Sequence, residues 1–285
     1  MTTVGILAIA FGRYTVFWKE LYESCEKYFL PGYKKEYYLF TDDVNVVYHD
    51  KDNVHIVYHE KMGWPYDTMM RFDLFLSQKE KLSKLDYLYF LNINLVCKKP
   101  VGEEIIPDES HDGIMVCSHP GFYNKTPKEF TYDRNPESTA YIPEGEGYHY
   151  APGGFNGGTS KDFLKLCEVC SKNVHTDLDK GIIALWHDES HLNKYILDKH
   201  PLIMPINYMY PVGVKWLKEK VYSKDIKIAL RDKTRYGGHY WLRSEIDIKS
   251  TLLNRLKYRL LSNFAPSHDA RVKYREIKNK LYFGM

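Results

Sequence analysis

Short apolar runs and longer amphipathic stretches alternate along the first hundred residues. Runs that end at Gly, Asn or Asp predict buried strands, and apolar positions three or four apart predict helices. The predicted strands are 4–11, 36–40, 53–58 and 87–91, and the predicted helices are 15–29 and 68–85. The order strand, helix, strand, strand, helix, strand predicts an α/β fold with a mostly parallel central sheet. Ligands of such sheets bind at the carboxyl ends of the strands.

The chain beyond residue 120 changes character. Residues 121–160 are rich in Gly, Pro, Asn and Tyr, which predicts loops around a site. Helices are predicted at 161–174, with Ser160 as the N-cap, and at 189–197. We expect residues 1–210 to form one domain and residues 211–285 to form a basic C-terminal extension.

Composition narrows the class of protein. The chain has 285 residues, of which 44% are hydrophobic and 27% charged, as in ordinary globular proteins. No apolar run approaches the roughly 20 residues that cross a bilayer. Five cysteines are few and odd in number, which favours reduced thiols and a cytoplasmic location.

Charge is distributed unevenly. Residues 1–210 carry 22 Lys and Arg against 30 Asp and Glu, a net of −8, whereas residues 211–285 carry 18 against 7, a net of +11. A basic segment favours anionic partners. No nucleic-acid recognition motif accompanies it, so nucleic acid is not an expected partner. Residues 249–262 have the pattern of a basic amphipathic helix. We expect such a helix to lie either on an anionic membrane surface or on the domain formed by residues 1–210.

Three stretches carry candidate chemistry. Residues 186–191, Trp-His-Asp-Glu-Ser-His, crowd two carboxylates and two imidazoles together, although acids are also common at a helix N-terminus. The glycine-rich stretch 153–158 is either a loop that lets a ligand approach the backbone or a plain turn. The amides of Asn92 and Asn94 follow a predicted strand, where an ordinary turn is the alternative.

Four motifs together resemble glycosyltransferase family 6, which includes the ABO blood-group transferases and the α1,3-galactosyltransferase. They are WHDESHLNKY at 186–195, HPGFY at 119–123, FTYDRNPESTAYIP at 130–143 and the glycine-rich stretch. The resemblance covers about residues 4–210. It implies a GT-A fold and a retaining transfer of galactose or N-acetylgalactosamine (GalNAc) from a UDP-sugar to a galactoside.

The resemblance also implies roles for individual residues. Glu189 matches the family's catalytic carboxylate, which also contacts the acceptor. The positions that match donor-binding residues are Ile9, Ala10, Phe11, Tyr14, Trp64, Arg71, Asn92, Asn94, Gly121, Gly154 and Asp188. The positions that match acceptor-binding residues are His119, Thr131 and Trp186.

The chain departs from the animal members of the family at the metal site. Those enzymes bind Mn²⁺ through Asp-x-Asp, where this chain has Asn92 and Asn94, and neutral amides bring no negative charge to a hard cation. We therefore expect a metal-independent enzyme without cofactor, of the bacterial type. Cations from the C-terminal region would replace the metal, with Lys233, Arg235 and Arg243 as candidates. In the resemblance, Pro211 stands where the family has an acceptor-binding aspartate, and we expect no counterpart of the animal enzymes' membrane anchor.

Donor choice follows from two glycines. Gly121 and Gly154 match positions where small residues admit the acetamido group, so UDP-GalNAc is the predicted donor and UDP-galactose the alternative. The same pattern suggests a fucosylated acceptor, Fucα1,2Gal. A non-catalytic protein that binds nucleotide sugars or glycans is the alternative from another functional class.

Overall fold

The structure is a computed structural model that describes residues 1–212 and 225–245. It divides the chain into two compact units, Met1–Asp232 and Lys233–Met285. The predicted amphipathic helix at 249–262 lies outside the described residues. Within the described part, none of the helices combines the length and the apolar character that a bilayer crossing requires.

The described strands of the first unit form two sheets. The larger has the order β3-β2-β1-β4-β7-β6-β8, and the smaller has the order β5-β10-β9. The strands of the larger sheet are β1 (Thr3–Ala10), β2 (Lys34–Thr41), β3 (Val54–Tyr58), β4 (Tyr87–Leu91), β6 (Ile114–Cys117), β7 (Phe155–Thr159) and β8 (Leu202–Met204). The strands of the smaller sheet are β5 (Leu95–Cys97), β9 (Tyr210–Pro211) and β10 (Ile228–Leu230).

The larger sheet is parallel except at one strand. β7 lies between β4 and β6 and runs antiparallel to both. All other neighbouring strands of this sheet pair in parallel. The predicted α/β fold with a mostly parallel sheet is therefore confirmed, and it is the arrangement of a GT-A-like glycosyltransferase.

Helices cover the sheet. They are α1 (Trp18–Tyr28), α2 (Tyr66–Met69), α3 (Arg71–Leu76), α4 (Lys79–Leu82), α5 (Ser160–Asp179) and α6 (Asp188–Ile196). The second unit contains a further short helix, α7 (His239–Leu242). Alternate strand residues face opposite sides. Phe90 packs in the core that α3 and α5 share, against Phe75, whereas Tyr89 packs against Phe29 and Phe155.

Two predicted helices differ from the structure. The stretch 68–85 contains three short helices, because the backbone leaves helical geometry at Met70 (φ −86°, ψ 13°) and at Gln78 (φ −110°, ψ 15°). The stretch 15–29 is helical only from Trp18, after a 3₁₀ segment at Gly12–Phe17. Apolar spacing reports which side chains are buried, and it does not show whether the hydrogen-bond ladder is continuous.

The start of α5 also corrects a prediction. Thr159 is the N-cap, and its hydroxyl accepts a hydrogen bond from the Asp162 backbone N–H at 3.1 Å, so Ser160 is already the first helical residue. The helix continues to Asp179, five residues beyond the predicted end at Val174.

The glycine-rich stretch is mostly strand, and its prediction as a loop was wrong beyond Gly154. A Cβ on Gly157 would lie 2.5 Å from the Leu88 carbonyl oxygen, and one on Gly158 would lie 2.1 Å from the Gly113 carbonyl oxygen. These two glycines therefore permit close strand packing, and ligand access does not explain them.

Candidate active site

The site lies at the edge of the sheet where the parallel strands end and the antiparallel β7 begins. Asn92, directly after β4, donates its backbone N–H to the Gly154 carbonyl at 2.8 Å. The first turn of helix α6 lies beside the same segment, because the Gly153 N–H donates a hydrogen bond to the carboxylate of Glu189 in that turn. The segment 151–154 therefore joins the sheet to the helix that carries both candidate carboxylates.

A buried ion pair joins Arg71 to Asp188. The two residues are 1% and 4% exposed, and Arg71 Nη1 lies 3.0 Å from Asp188 Oδ2. The same nitrogen donates to the Gly153 carbonyl. The guanidinium packs over the rings of Phe72 and Phe90, at 4.8 and 4.7 Å, so apolar side chains shield the pair from water.

Burial shifts the acidity of Asp188. Desolvation raises the pKa of this carboxyl to about 6, because the charge of Arg71 offsets only part of the cost of burying it, and the neighbouring charge of Glu189 adds to the rise. His187, the residue before it, has φ +54° and ψ −122°. A residue other than glycine adopts such backbone angles at an energetic cost, which marks this helix start as a constrained point.

Glu189 is held by two donors. Tyr150 donates its hydroxyl to Oε1 at 2.9 Å, and the Gly153 N–H donates to Oε2 at 2.8 Å. Burial raises the pKa of the Glu189 carboxyl above its ordinary value, while these two bonds and the Arg71 charge oppose the rise. The carboxylate is thus fixed in orientation and lies against the Arg71–Asp188 pair.

Asn193 joins helix α6 to the segment 151–154 by hydrogen bonds. Its side chain accepts from the Ala151 N–H at 2.9 Å and donates to the Ala151 carbonyl and to the Glu189 carbonyl, both at 2.8 Å. Sequence reasoning missed Tyr150 and Asn193. Asn193 lies inside the quoted decapeptide 186–195, and three bonds from one amide are visible only in three dimensions.

The predicted acceptor residues surround Tyr150. The Thr131 hydroxyl donates to the Tyr150 hydroxyl at 3.2 Å, and the His119 ring meets the Tyr150 ring edge-on at 5.5 Å. Trp186 packs on the aromatic cluster, which we define by its buried members Phe130, Tyr132, Ile142 and Tyr150. Burial lowers the pKa of His119 to about 4, so its imidazole is neutral near pH 7.

The two glycines predicted to set donor choice have different surroundings. The Gly121 N–H donates to His119 Nδ1 at 2.9 Å. A Cβ on Gly154 would lie 2.6 Å from the methyl group of Met209 and 3.5 Å from the Asn92 Cβ. The space beside Gly154 is therefore occupied by the flexible end of a methionine.

Asn92 and Asn94 bring neutral amides to the position that, in the resemblance, matches the metal site. Asn94 is 2% exposed and donates its amide to the Arg231 carbonyl at 2.7 Å, which ties it to β10. Throughout residues 1–212 and 225–245, no group of three or more His, Cys, Asp or Glu side chains is arranged to hold a metal ion. Neutral amides do not fit Mn²⁺, and metal independence stays a prediction.

The predicted uridine-binding residues lie at the end of β1. Ala10 ends the strand, Phe11 is 4% exposed and Tyr14 is partly exposed in the following 3₁₀ segment. Ile9 packs against the core that α3 and α5 share. Trp64 is 43% exposed and meets the ring of His187 edge-on at 4.8 Å, directly before Asp188.

The candidate phosphate-binding cations belong to the second unit. Lys233 and Arg235 lie in a 3₁₀ turn, Lys233–Tyr236, and Arg243 follows α7. Burial and the nearby charge of Arg243 lower the pKa of Lys233 to about 8. Their part in binding a donor stays a prediction.

Comparison with known proteins identifies the family to which the chain belongs. The family model described as glycosyltransferase family 6 matches residues 1–236. The chain is 33% identical over 238 residues to the O-antigen biosynthesis glycosyltransferase WbnI of Escherichia coli, which covers 82% of this chain and 98% of that protein.

Two vertebrate relatives are similar at the same level. Histo-blood group ABO system transferase 1 of Rattus norvegicus is 35% identical over 207 residues, which is 70% of this chain and 58% of the rat protein. Globoside alpha-1,3-N-acetylgalactosaminyltransferase 1 of Gallus gallus is 32% identical over 207 residues, 70% of this chain and 59% of the chicken protein. The matched family model and these relatives show that the chain belongs to glycosyltransferase family 6.

Proposed function

We propose that the protein transfers GalNAc from UDP-GalNAc, with retention of configuration, in α1,3 linkage to a galactoside, without a metal ion. Membership of the family implies a nucleotide-sugar donor and a glycan acceptor. The observation that carries the proposal is the fixed Glu189 carboxylate, which lies against the buried Arg71–Asp188 pair.

Charge explains why such a site suits glycosyl transfer. When the bond between the anomeric carbon and UDP breaks, UDP keeps the electron pair and positive charge develops on the sugar. A carboxylate on the opposite face stabilises that charge either electrostatically or by forming a covalent bond to the sugar. The acceptor hydroxyl then bonds to the anomeric carbon on the face that UDP leaves, and where a covalent bond to Glu189 had formed, that bond breaks and the carboxylate is released. The hydroxyl proton passes to a phosphate oxygen of the departing UDP. Glu189 fits either role.

Arg71 and Asp188 support the donor side of this proposal. Among the described residues, Arg71 Nε and its second terminal nitrogen have no hydrogen-bond partner, although both are buried. A guanidinium keeps its charge and presents a planar set of donors to sugar or phosphate oxygens. Asp188 holds the guanidinium in place and, in the resemblance, contacts the donor sugar.

Gly121 and Gly154 support GalNAc over galactose. Neither glycine presents a side chain to the donor, and the flexible Met209 beside Gly154 can rearrange around an acetamido group. We expect Gly154→Ala to displace Met209 and to lower turnover of UDP-GalNAc relative to UDP-galactose. Steric discrimination of this kind is worth about 1–3 kcal/mol. Equal or better turnover of UDP-galactose by the wild-type protein would contradict the proposed donor.

Metal independence rests on the neutral amides of Asn92 and Asn94. We expect activity to survive EDTA and to gain little from Mn²⁺. Lys233, Arg235 and Arg243 are the proposed replacements for the metal charge. Activity that is lost on chelation and restored by Mn²⁺ would overturn this part.

The acceptor is proposed to be a galactoside, with Fucα1,2Gal as the preferred form. The aromatic cluster supports this choice, because aromatic faces pack well against the apolar face of a sugar. The names of the rat and chicken relatives refer to the histo-blood group ABO system and to globoside.

One set of assays separates this function from its alternatives. UDP release from UDP-GalNAc and from UDP-galactose is measured with and without Fucα1,2Gal, each with and without EDTA. Release that rises with acceptor identifies a transferase, and the donor ratio identifies the sugar. Binding of UDP-sugar with no release under any condition would support a non-catalytic binding protein.

Location is proposed to be cytoplasmic, with peripheral contact to an anionic membrane through residues 249–262. Each basic residue near such a surface contributes about 1 kcal/mol. Full-length protein and a chain truncated after Ser244 are compared by sedimentation with anionic liposomes at low salt. Equal sedimentation would overturn the membrane contact.

A further inference from the structure

Asn156 is a polar residue at a core position. It lies in β7 between Phe90 of β4 and Val116 of β6, both members of the core that α3 and α5 share, and it is 1% exposed. Its Oδ1 has no hydrogen-bond partner among the described residues. A buried amide that meets only part of its hydrogen-bonding capacity destabilises a fold, so its presence here needs a reason other than stability.

The amide of Asn156 acts on Gly153. Nδ2 donates to the Gly153 carbonyl at 3.0 Å, and the same oxygen also accepts from Arg71. On the other side of the same residue, the Gly153 N–H donates to Glu189 Oε2 at 2.8 Å. Both peptide groups of Gly153 are therefore fixed by side chains.

The peptide groups of Gly153 need these hydrogen bonds because the residue is a glycine. A Cβ on Gly153 would lie 2.9 Å from Asp188 Oδ2 and 3.4 Å from the Glu189 Cβ, so the close approach to α6 favours a glycine. Without a side chain, the peptide groups on either side rotate more freely than those of any other residue. A hydrogen bond to the Gly153 carbonyl restricts that rotation. Two side chains donate such a bond, the charged guanidinium of Arg71 and the neutral amide of Asn156.

We propose that Asn156 is a positioning residue: by holding the Gly153 carbonyl, it keeps the Gly153 N–H directed at the Glu189 carboxylate. The inference rests on the proposed role of Glu189. Arg71 alone does not replace it, because Arg71 also pairs with Asp188 and moves with any rearrangement of that pair.

The acidity of Glu189 reports on this contact. The charged and titratable groups that face Glu189 are Arg71, Asp188 and Tyr150. The Gly153 N–H stabilises the ionised form, so a poorly held Gly153 raises the pKa of Glu189. Activity that needs the carboxylate would then decline at a higher pH on the acidic side.

Asn156→Val separates positioning from stability. Valine suits a central strand and an apolar core, so the thermal unfolding temperature should stay equal or rise. We expect kcat to fall about tenfold, the effect of one lost hydrogen bond at the reacting centre, with less than about a twofold change in donor KM. The acidic limb of the pH profile should move to higher pH.

A matched control is available at Asn207. Its Nδ2 also donates to one carbonyl, that of Asp225 at 3.1 Å, and its Oδ1 also lacks a partner among the described residues. Asn207→Ala should leave kcat and the pH profile unchanged, whereas Asn156→Ala should reproduce the kinetic effect of the valine variant even if it lowers stability.

The outcomes distinguish this inference from the function on which it rests. Wild-type protein that neither transfers nor hydrolyses a UDP-sugar would overturn the proposed function. Active wild type, together with Asn156 variants that keep its kcat and its acidic limb, would overturn the positioning role alone.

Discussion

The two sides of the site are built from different chemistry. On the predicted donor side, Arg71 and Asp188 form a buried ion pair, and Glu189 is held by a backbone N–H and a tyrosine hydroxyl. On the predicted acceptor side, the aromatic cluster lies behind His119, Thr131 and Trp186, and the imidazole of His119 is neutral.

The difference indicates what each side has to do. Fixed charges in a dry environment stabilise developing charge strongly, which suits the breaking of the donor bond. Aromatic faces bind an uncharged sugar through contact area and orientation. Tyr150 belongs to both sides, because its ring packs in the cluster and its hydroxyl bonds to Glu189. Changes on the donor side should therefore slow both hydrolysis and transfer, and changes on the acceptor side should slow transfer alone.

The largest expected effect comes from Glu189→Gln. The change keeps the shape of the side chain and removes its charge, so transfer and donor hydrolysis should both fall by orders of magnitude. The lost electrostatic stabilisation of the transition state amounts to several kcal/mol, and each loss of about 1.4 kcal/mol lowers the rate tenfold. Turnover is measured as UDP release, and UDP affinity by calorimetry should be retained. Near-normal turnover would mean that Glu189 is only an acid at a helix start.

Arg71→Met tests the buried pair. Removing one partner leaves the Asp188 charge uncompensated, which costs about 3–5 kcal/mol of folding stability, and donor hydrolysis should fall as well. The measurement is chemical denaturation of both proteins. Lys79→Met is the control, because Lys79 and Glu168 form a solvent-exposed pair at 2.7 Å, whose loss should cost about 1 kcal/mol or less. Similar losses for the two variants would contradict the importance of burial.

Tyr150→Phe removes the hydroxyl that joins the two sides and leaves the ring in the cluster. One hydrogen bond to the carboxylate is lost, so kcat should fall about tenfold. Since that bond opposes the raised pKa of Glu189, the acidic limb of the pH profile should move to higher pH. Steady-state kinetics across pH check both points. A change in acceptor KM without either effect would place Tyr150 on the acceptor side only.

Trp186→Ala should act on the acceptor alone. The variant removes an apolar face near the cluster, so acceptor KM should rise several-fold while donor hydrolysis without acceptor stays at the wild-type rate. Both rates come from one UDP-release assay. A parallel loss of donor hydrolysis would show that the two sides are not separable at this residue.

The smallest effect concerns pH and Asp188. Its pKa of about 6 in the folded protein exceeds the ordinary value of 3.8, so the folded state binds the proton more tightly than the unfolded chain does. This group therefore adds stability below about pH 4 and loses that contribution as pH rises through 6. Asp188→Asn should remove this pH dependence from the unfolding free energy, so the difference between variant and wild type, measured by chemical denaturation, should change between about pH 4 and pH 6. A difference that is constant over this range would contradict the raised pKa.

The sequence predicted the strands better than the contacts between distant segments. Apolar runs located β1 to β4 within a few residues because burial is read directly from local composition. The position of β7, antiparallel between β4 and β6, depends on pairing between distant residues. Phe90 and Asn156, for example, pair although more than sixty residues separate them, and no local sequence pattern predicts such a pair.

The same limit applies to the site. Arg71, Asp188 and Glu189 were each identified by motif, and the structure brings the three together. That they meet through the backbone of Gly153 could not be predicted, since a glycine carries no side chain whose chemistry would mark it. Tyr150 was missed for a related reason, because one tyrosine among 25 has no distinguishing local signal.

The pairing of β6 with β7 has a consequence for how specificity diversifies. Val116 pairs directly with Asn156, so the chain from 118 to 154 leaves the sheet and returns to the neighbouring strand. This excursion carries His119, Thr131 and the whole aromatic cluster. It ends on Tyr150 and Gly153, which hold Glu189, whereas Arg71, Asp188 and Glu189 themselves lie elsewhere in the chain. Insertions and substitutions in it need not disturb the strands that hold the donor side. Related enzymes could therefore acquire new acceptors by exchanging only the part of this excursion that lies between Gly121 and Tyr150, because the residues at its two ends serve the donor side.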